Sequence, residues 1–543
     1  MELWSLKNRK ALVVDDCVDI RAMIRDMLLN LGATEITTAR NADEALSHIN
    51  NINFDVILCD YNLGEGKDGQ QILEEIRFRN LITASCLFIM ITAENQSHMV
   101  MGAMEYYPDL YLSKPFTKPT LQTRLQKLTN EKDITANILG AIERESFKSA
   151  LSQCDKAIRY HPRHRMLLLK LKADILLKLG DNSDAEMLFQ DILQERELAW
   201  ALLGLGKVYF SQKKYELAKQ QFKQIVDLNP NYMEAYDWLA QCMEHLGEHN
   251  DAQVILQTAS EKSPKALLRQ RRLGEISMDL EDFSASKAAY KQAIENGKFS
   301  CFKEVEDYSN LAQSVSVVGE KKEALRVIEK LRKDFLGDSK AGFYANIVES
   351  DVHYAYGDDE KGELLIDQAI QHFDEHPETL STSSVMLMAQ VCLSQGNVSK
   401  GQELIKHIVR NNHDNQQILK NASKAFKKAG MEDAGDDLIS STCNEIYEIN
   451  NKGIQLAQKG HLLESITLFD KAVKAMPENI AILMNATQCI LLYLDKHPDN
   501  DSLTITARRY LDRAFNINPE NIKYKALMVS YDSLKCKAHS GTK

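Results

Sequence analysis

Phe54-Asp55-Val56-Ile57-Leu58-Cys59-Asp60 is a short apolar run that ends in a carboxylate, with the polar segment Asn62-Leu63-Gly64-Glu65-Gly66 beyond it. Its length and its β-branched and aromatic content read as a buried strand that stops at an open sheet edge. In open α/β sheets the crevice at the carboxyl ends of the strands is where ligands bind, so other strands should bring matching chemistry to that edge. Three do. Lys10-Ala11-Leu12-Val13-Val14 ends in Asp15-Asp16, Leu87-Phe88-Ile89-Met90-Ile91 ends in Thr92-Ala93, and Leu110-Tyr111-Leu112-Ser113 ends in Lys114-Pro115. Any one ending is what a strand uses to solvate its turn. Four of them, separated by helical patterns, point to one constructed site.

The pattern predicts strands over 10–14, 34–38, 54–59, 87–91 and 110–113, and helices over 18–30, 42–50, 69–79, near 96–105 and over 118–129. Five βα units imply a parallel sheet covered on both faces. Ile24, Leu28 and Leu31, then Leu46 and Ile49, show the one-sided apolar spacing such covering helices need.

On Val14-Asp15-Asp16, Cys59-Asp60-Tyr61-Asn62, Ile91-Thr92-Ala93 and Tyr111-Leu112-Ser113-Lys114-Pro115-Phe116, residues 1–130 resemble the receiver domain of two-component response regulators, a (βα)5 flavodoxin-like fold. The resemblance implies that Asp60 accepts a phosphoryl group from a histidine kinase or phosphotransfer protein. It further implies that Asp15, Asp16, Asp60 and the backbone carbonyl of Asn62 hold Mg²⁺, that Thr92 and Lys114 receive the phosphoryl group, and that Tyr111 is the switch aromatic. The bland alternative for Tyr111 is a half-buried strand residue. The residue types agree with this chemistry, because three converging carboxylates repel one another and favour a hard divalent cation with oxygen ligands.

At 543 residues the chain is too long for one core. A net charge of −11 without a Lys/Arg cluster argues against a nucleic-acid partner. The ten cysteines show no Cys-x-x-Cys, which argues against a zinc site or a disulfide framework. The N-terminus lacks a signal-peptide layout, and no apolar run approaches the ~20 residues of a membrane span, so a cytoplasmic location is expected.

From residue 131 the βα alternation gives way to helix after helix. A small residue, an apolar one four later and another three after that recur at Ala150-Cys154-Ala157, Ala185-Phe189-Ile192, Ala218-Phe222-Ile225, Ala252-Leu256-Ala259 and Ser286-Tyr290-Ala293. They return at Ala324-Ile328-Leu331, Gly362-Ile366-Ala369, Gly401-Ile405-Ile408, Gly435-Ile439-Thr442, Ser465-Phe469-Ala472 and Ala507-Leu511-Ala514. Most spacings lie near the ~34 residues of a tetratricopeptide hairpin. Leu202-Leu205-Gly206-Tyr209-Ala218-Phe222-Pro230 resembles that repeat most closely. Residues 131–543 are therefore expected to form an all-α solenoid of tetratricopeptide (TPR) type, with clearest repeats over 131–298 and 446–519. Between about 300 and 445 only helical repeats are expected, and a capping helix is expected over 520–536.

The register set by Ala218 places Trp200, Leu203, Lys207 and Phe210 on a stripe facing a groove, beside Glu234, Asp237, Gln241 and Glu244. That combination suits a protein or peptide partner. The competing reading is that Trp200 and Phe210 seal against the adjacent hairpin. In layout the chain is similar to VieB-like receiver-plus-tetratricopeptide regulators, which implies a regulatory rather than enzymatic protein with protein binding as output and leaves a homodimer open. The alternatives are a phosphate sink or a constitutive scaffold that modulates another two-component pathway.

Overall fold

The computed structural model describes residues 5–93, 105–377, 380–519 and 521–540. The chain divides into two compact units, Met1–Val327 and Ile328–Lys543. Among the described residues no helix is long and apolar enough to cross a membrane.

The first unit opens with β1 (Lys10–Val14), β2 (Glu35–Ala39), β3 (Val56–Asp60), β4 (Leu87–Thr92) and β5 (Leu110–Ser113). These form one parallel sheet in the order β2-β1-β3-β4-β5. Every residue of β3 and β4 is buried, as a strand covered on both faces requires. Alternate residues supply two cores. Leu12, Val14, Ile57, Cys59, Phe88 and Met90 pack under α2 (Ala42–Asn51) and α3 (Gly69–Phe78). Val13, Val56, Leu58 and Ile89 pack under α1 (Val18–Asn30) and the start of α4 (Lys118–Glu143). The helix expected near 96–105 lies almost wholly outside the described residues.

The helix expected over 118–129 continues to Glu143, so residue 130 lies in mid-helix. Between Pro119 and Gly140 nothing in the sequence interrupts a helix. Leu121 and Leu125 face the sheet, whereas Ile138 and Ala141 face the next helices. Arg9 pairs with Asp133 at 2.7 Å and Lys132 with Asp109 at 3.1 Å, which pins the extension to the sheet domain.

The rest of the unit is helical: α5 (Phe147–Tyr160), α6 (Arg165–Leu179), α7 (Asn182–Glu195), α8 (Ala199–Ser211), α9 (Tyr215–Leu228), α10 (Met233–Leu246), α11 (His249–Lys262), α12 (Leu267–Asp279), α13 (Phe283–Asn296) and α14 (Val305–Val317). The next helix, α15 (Lys321–Asp334), contains the division between the units. Within each hairpin the expected small residue is buried at the crossing: Ala150, Ala185, Ala218, Ala252 and Ser286 are all 0% exposed. The facing helix carries a matching gap. Gly204 leaves no room for a Cβ against the Phe189 ring, nor does Gly206 against Phe222 or Gly274 against Tyr290. Small residues on one helix thus accept a ring from the other, and this sets the close approach of the pair.

The second unit holds α16 (Ser339–Ala355), α17 (Asp359–Glu375), α18 (Thr382–Ser394), α19 (Val398–Asn411), α20 (Gln416–Lys428), α21 (Glu432–Gln458), α22 (Leu462–Ala475), α23 (Ile480–Leu494), α24 (Asp501–Ile517) and α25 (Ile522–Ser540). In its first hairpins glycine takes the place of alanine as anchor: Gly362 meets the Tyr354 ring, Gly401 meets Leu393 and Gly435 meets Phe426, whereas Ser465 and Ala507 anchor the last ones. The period stretches because α21 serves two hairpins, with Gly435 against Phe426 at one end and Gly453 against Phe469 at the other. The helix expected over 520–536 is α25, which buries Leu527 and Tyr531 on the last hairpin.

Candidate functional site

The parallel register delivers the expected residues to one sheet edge. Cys59 stands opposite Val14 and Met90, so Asp60 emerges beside Asp15-Asp16, and Thr92 follows Ile91, the partner of Asp60. Asp15 is 1% exposed and Asp60 7%, whereas Asp16 is open to solvent. Carboxylate oxygens of the three lie within 4.8 Å of one another. Lys114, just past β5, bridges two of them, with Nζ 2.7 Å from Asp15 Oδ2 and 3.0 Å from Asp60 Oδ1.

Local structure fixes each group. The Tyr61 N–H donates to Asp60 Oδ1 at 3.0 Å, and the Cys17 N–H donates to Asp15 Oδ1 at 2.9 Å. The Lys114 N–H donates to the Thr92 carbonyl at 2.6 Å, next to the cis Lys114–Pro115 bond. Asp68 and Gln71 form a reciprocal cap at the start of α3, and Gly69 lets that helix pass against the Asp60 carbonyl where a Cβ would collide. Burial lifts the Asp60 carboxyl to about 6 even though Lys114 pulls it down, and the Asp15 charge adds to the rise. Burial also opposes the Lys114 charge, but its bonds to Asp15 and Asp60 outweigh that and hold it above the ordinary lysine value.

Asn62 is exposed two residues past Asp60, its side chain accepting from the Gly64 N–H at 3.3 Å. Thr92 is buried at 1%. Tyr111 is half-buried against the α2/α3 core. The donor set suits a hard divalent cation, since three carboxylates converge and the one ammonium among them pairs with only Asp15 and Asp60.

The aromatic centre expected on the repeats is packed away. Leu203 is 7% exposed and Phe210 lies in the same cluster, with its ring 5.2 Å from Tyr215 and 5.3 Å from Trp238. Trp200 packs against Phe189 at 6.3 Å. The helix is apolar apart from Lys207 and its polar end, and it buries Ala201 through Gly206 and Val208, whereas Trp200, Lys207 and Phe210 are half-buried. The acidic wall is ion-paired. Lys207 binds Glu234 at 2.6 Å, Arg269 binds Asp237 at 2.7 Å and Arg272 binds Glu244 at 2.8 Å, while Gln241 stays half-buried among them.

What the sequence did not announce is a seam between the sheet domain and the hairpins of the same unit. Lys265, in the turn before α12, donates to the Tyr61 hydroxyl at 2.9 Å and lies 3.5 Å from Asp68. Gln71 donates to the Asn296 carbonyl at 3.2 Å, Ser300 donates to Glu74, and Phe78 meets Phe302 edge-on at 4.9 Å. Arg269 grips Glu105 through two bonds of 3.1 and 2.9 Å, and Tyr107 donates to Glu234. No local period signals these pairs.

Residues 11–126 match the response regulator receiver domain family, and residues 170–231, 209–273 and 272–296 match tetratricopeptide repeat families. The chain is 31% identical over 128 residues to chemotaxis protein CheY-3 of Vibrio cholerae, a match covering 24% of this chain and 97% of the relative. It is 29% identical over 119 residues to CheY of Pseudomonas aeruginosa, covering 22% and 94%. Among solved structures, a tetratricopeptide repeat protein from Parabacteroides merdae aligns with 44% of this chain and 92% of its own at 15% identity and TM-score 0.30. A CheY-like receiver from Methanospirillum hungatei aligns with 23% and 96% at 25% identity and TM-score 0.21.

Proposed function

Because the chain belongs to the response regulators, with a receiver domain at its N-terminus and tetratricopeptide repeats after it, we propose that it is a phosphorelay switch whose output is protein binding. The donor in this reading is a phosphohistidine on a histidine kinase or phosphotransfer protein of the cytoplasm. The observation that carries the proposal is the Asp60 carboxylate at the end of β3, hydrogen-bonded by the Tyr61 N–H and bridged through Lys114 to Asp15.

An Asp60 oxygen attacks the phosphorus of the donor. The O–P bond forms as the P–N bond breaks, its electron pair returns to the donor imidazole, and Asp60 becomes an acyl phosphate. No separate base is needed, because the nucleophile is already ionised. Lys114 faces the charge that develops on the transferring oxygens. Asp15, Asp16, Asp60 and the Asn62 carbonyl would hold a Mg²⁺, which would supply further positive charge towards the transferring oxygens. Thr92 donates its hydroxyl to the new phosphoryl group, and Tyr111 follows the loop inward behind it.

The test is covalent labelling of the full chain by a small phosphodonor in the presence of Mg²⁺. One added phosphoryl group, labile to acid and base and absent from Asp60→Ala, is the expected result. Undiminished, acid-stable labelling of that variant would overturn the assignment.

A further inference from the structure

Glu105, Tyr106 and Tyr107 point alternately out of and into the receiver. Both Glu105 oxygens accept from Arg269, at 3.1 and 2.9 Å, and the guanidinium is only 2% exposed. The same guanidinium holds Asp237 through its other donors at 2.7 and 2.8 Å. With Glu105 removed, two donors of a buried cation would lack an acceptor, so this spot is built for a carboxylate. Tyr107 donates its hydroxyl to Glu234, whose charge is shared with Lys207 at 2.6 Å. The Tyr107 backbone stands at φ +54, ahead of Pro108, a conformation a tyrosine adopts only when its surroundings hold it. Tyr106 turns the other way. It packs in the same cluster as Tyr111 and bonds Glu74.

We infer that Glu105-Tyr106-Tyr107 is a built-in ligand of the repeats, seated on α10 and α12 where the output partner binds. The surface is therefore specific for a segment of another protein that presents a carboxylate and, two residues on, a phenol. Arg269 reads the carboxylate and Glu234 reads the phenol hydroxyl. The acidic wall thus selects for one hydrogen-bond donor between charges and against a second carboxylate there. The inference rests on the repeats being the protein-binding output, and it names the chemistry of what they bind. Occupancy by the chain's own segment keeps the surface closed to weak ligands, because an intramolecular ligand competes at high effective concentration.

The probe is a fluorescein-labelled peptide of residues 101–110, titrated into the full chain without phosphodonor or divalent cation, so that failure of the Asp60 chemistry cannot affect the result. The wild-type chain should take it up poorly. A Glu105→Ala/Tyr107→Phe chain, shown to be folded by its melting curve, should bind it about tenfold more tightly or better. Adding Arg269→Gln should abolish that gain, while Arg326→Gln, on an exposed face of α15, should preserve it. Equal affinity of the wild-type and double-variant chains, or a gain that survives Arg269→Gln, would overturn the inference. Dimerisation of the double variant in place of peptide uptake would also overturn it, in favour of a second copy as occupant.

Discussion

Lys265, which belongs to the repeats, donates a 2.9 Å hydrogen bond to the hydroxyl of Tyr61, the residue that follows the phosphoacceptor. The Tyr61 N–H meanwhile donates to the Asp60 carboxylate, so one residue touches both the chemistry and the output region. Thermodynamic linkage makes such a contact reciprocal: whatever rearranges Tyr61 acts on Lys265, and the converse holds.

Beryllofluoride with Mg²⁺, as a phosphoryl mimic, should therefore change hydrogen exchange across 264–272 in the full chain. Lys265→Ala should blunt that response while changing the affinity for the mimic by no more than about threefold. Exchange across 264–272 that ignores the mimic in the wild-type chain would rule out this route.

Lys114 is the ammonium that bridges Asp15 and Asp60, and Asp15 is almost wholly buried. Lys114→Met should thus lower stability by about 3 kcal/mol without divalent cation, since it strands buried carboxylates without their counter-charge. Mg²⁺ should restore part of the loss, because it meets the same need. Asp16→Ala should abolish the Mg²⁺-dependent rise in melting temperature of the wild-type chain. Melting curves with Mg²⁺ or with a chelator decide both points, and a Lys114→Met chain indifferent to Mg²⁺ would argue that no cation sits among these carboxylates.

The strand endings were legible because each is a local pattern, an apolar run closed by a chemically distinct residue. The hairpin anchors were legible for the same reason: Ala218 and Phe222 lie one helical turn apart. The seam was not legible, because Tyr107 and Glu234 are 127 residues apart and Glu105 and Arg269 are 164 apart, with no periodicity linking them. The open stripe assigned to Leu203 and Phe210 failed for a different reason. Ala199–Ser211 is apolar along most of its length, with Ala201 through Gly206 all buried, and the half-buried Trp200, Lys207 and Phe210 are already engaged by Phe189, Glu234 and Trp238.

The glycines within the helices occupy two kinds of position. Gly274 faces the fully buried Tyr290 ring, so Gly274→Val should push α12 and α13 apart and cost about 1 to 3 kcal/mol. Gly342, within α16, has nothing within 4 Å of the place a Cβ would occupy. There Gly342→Ala should raise stability by up to about 1 kcal/mol, through helix propensity and a less flexible unfolded chain. Urea midpoints test the pair, and equal responses of the two variants would show that ring contacts do not set the helix spacing.

Asp351, on α16, carries a carboxyl that burial raises to about 6, and the Lys428 charge offsets that only in part. Its unfolded value is about 4, so the folded chain binds this proton more tightly than the unfolded chain does. Such a group costs stability as pH rises from about 4 to about 6, and the full cost applies at neutral pH. Asp351→Asn keeps the shape and removes the charge. At pH 7 it should therefore stabilise the chain by about 1 to 2 kcal/mol, whereas below pH 4 the two chains should melt alike. The sign is opposite to that expected of a carboxylate in a salt bridge. If Asp351→Asn instead lowered the melting temperature at pH 7 and the loss faded towards pH 4, Lys428 would be holding the carboxylate ionised, and burial would not be the dominant influence on Asp351.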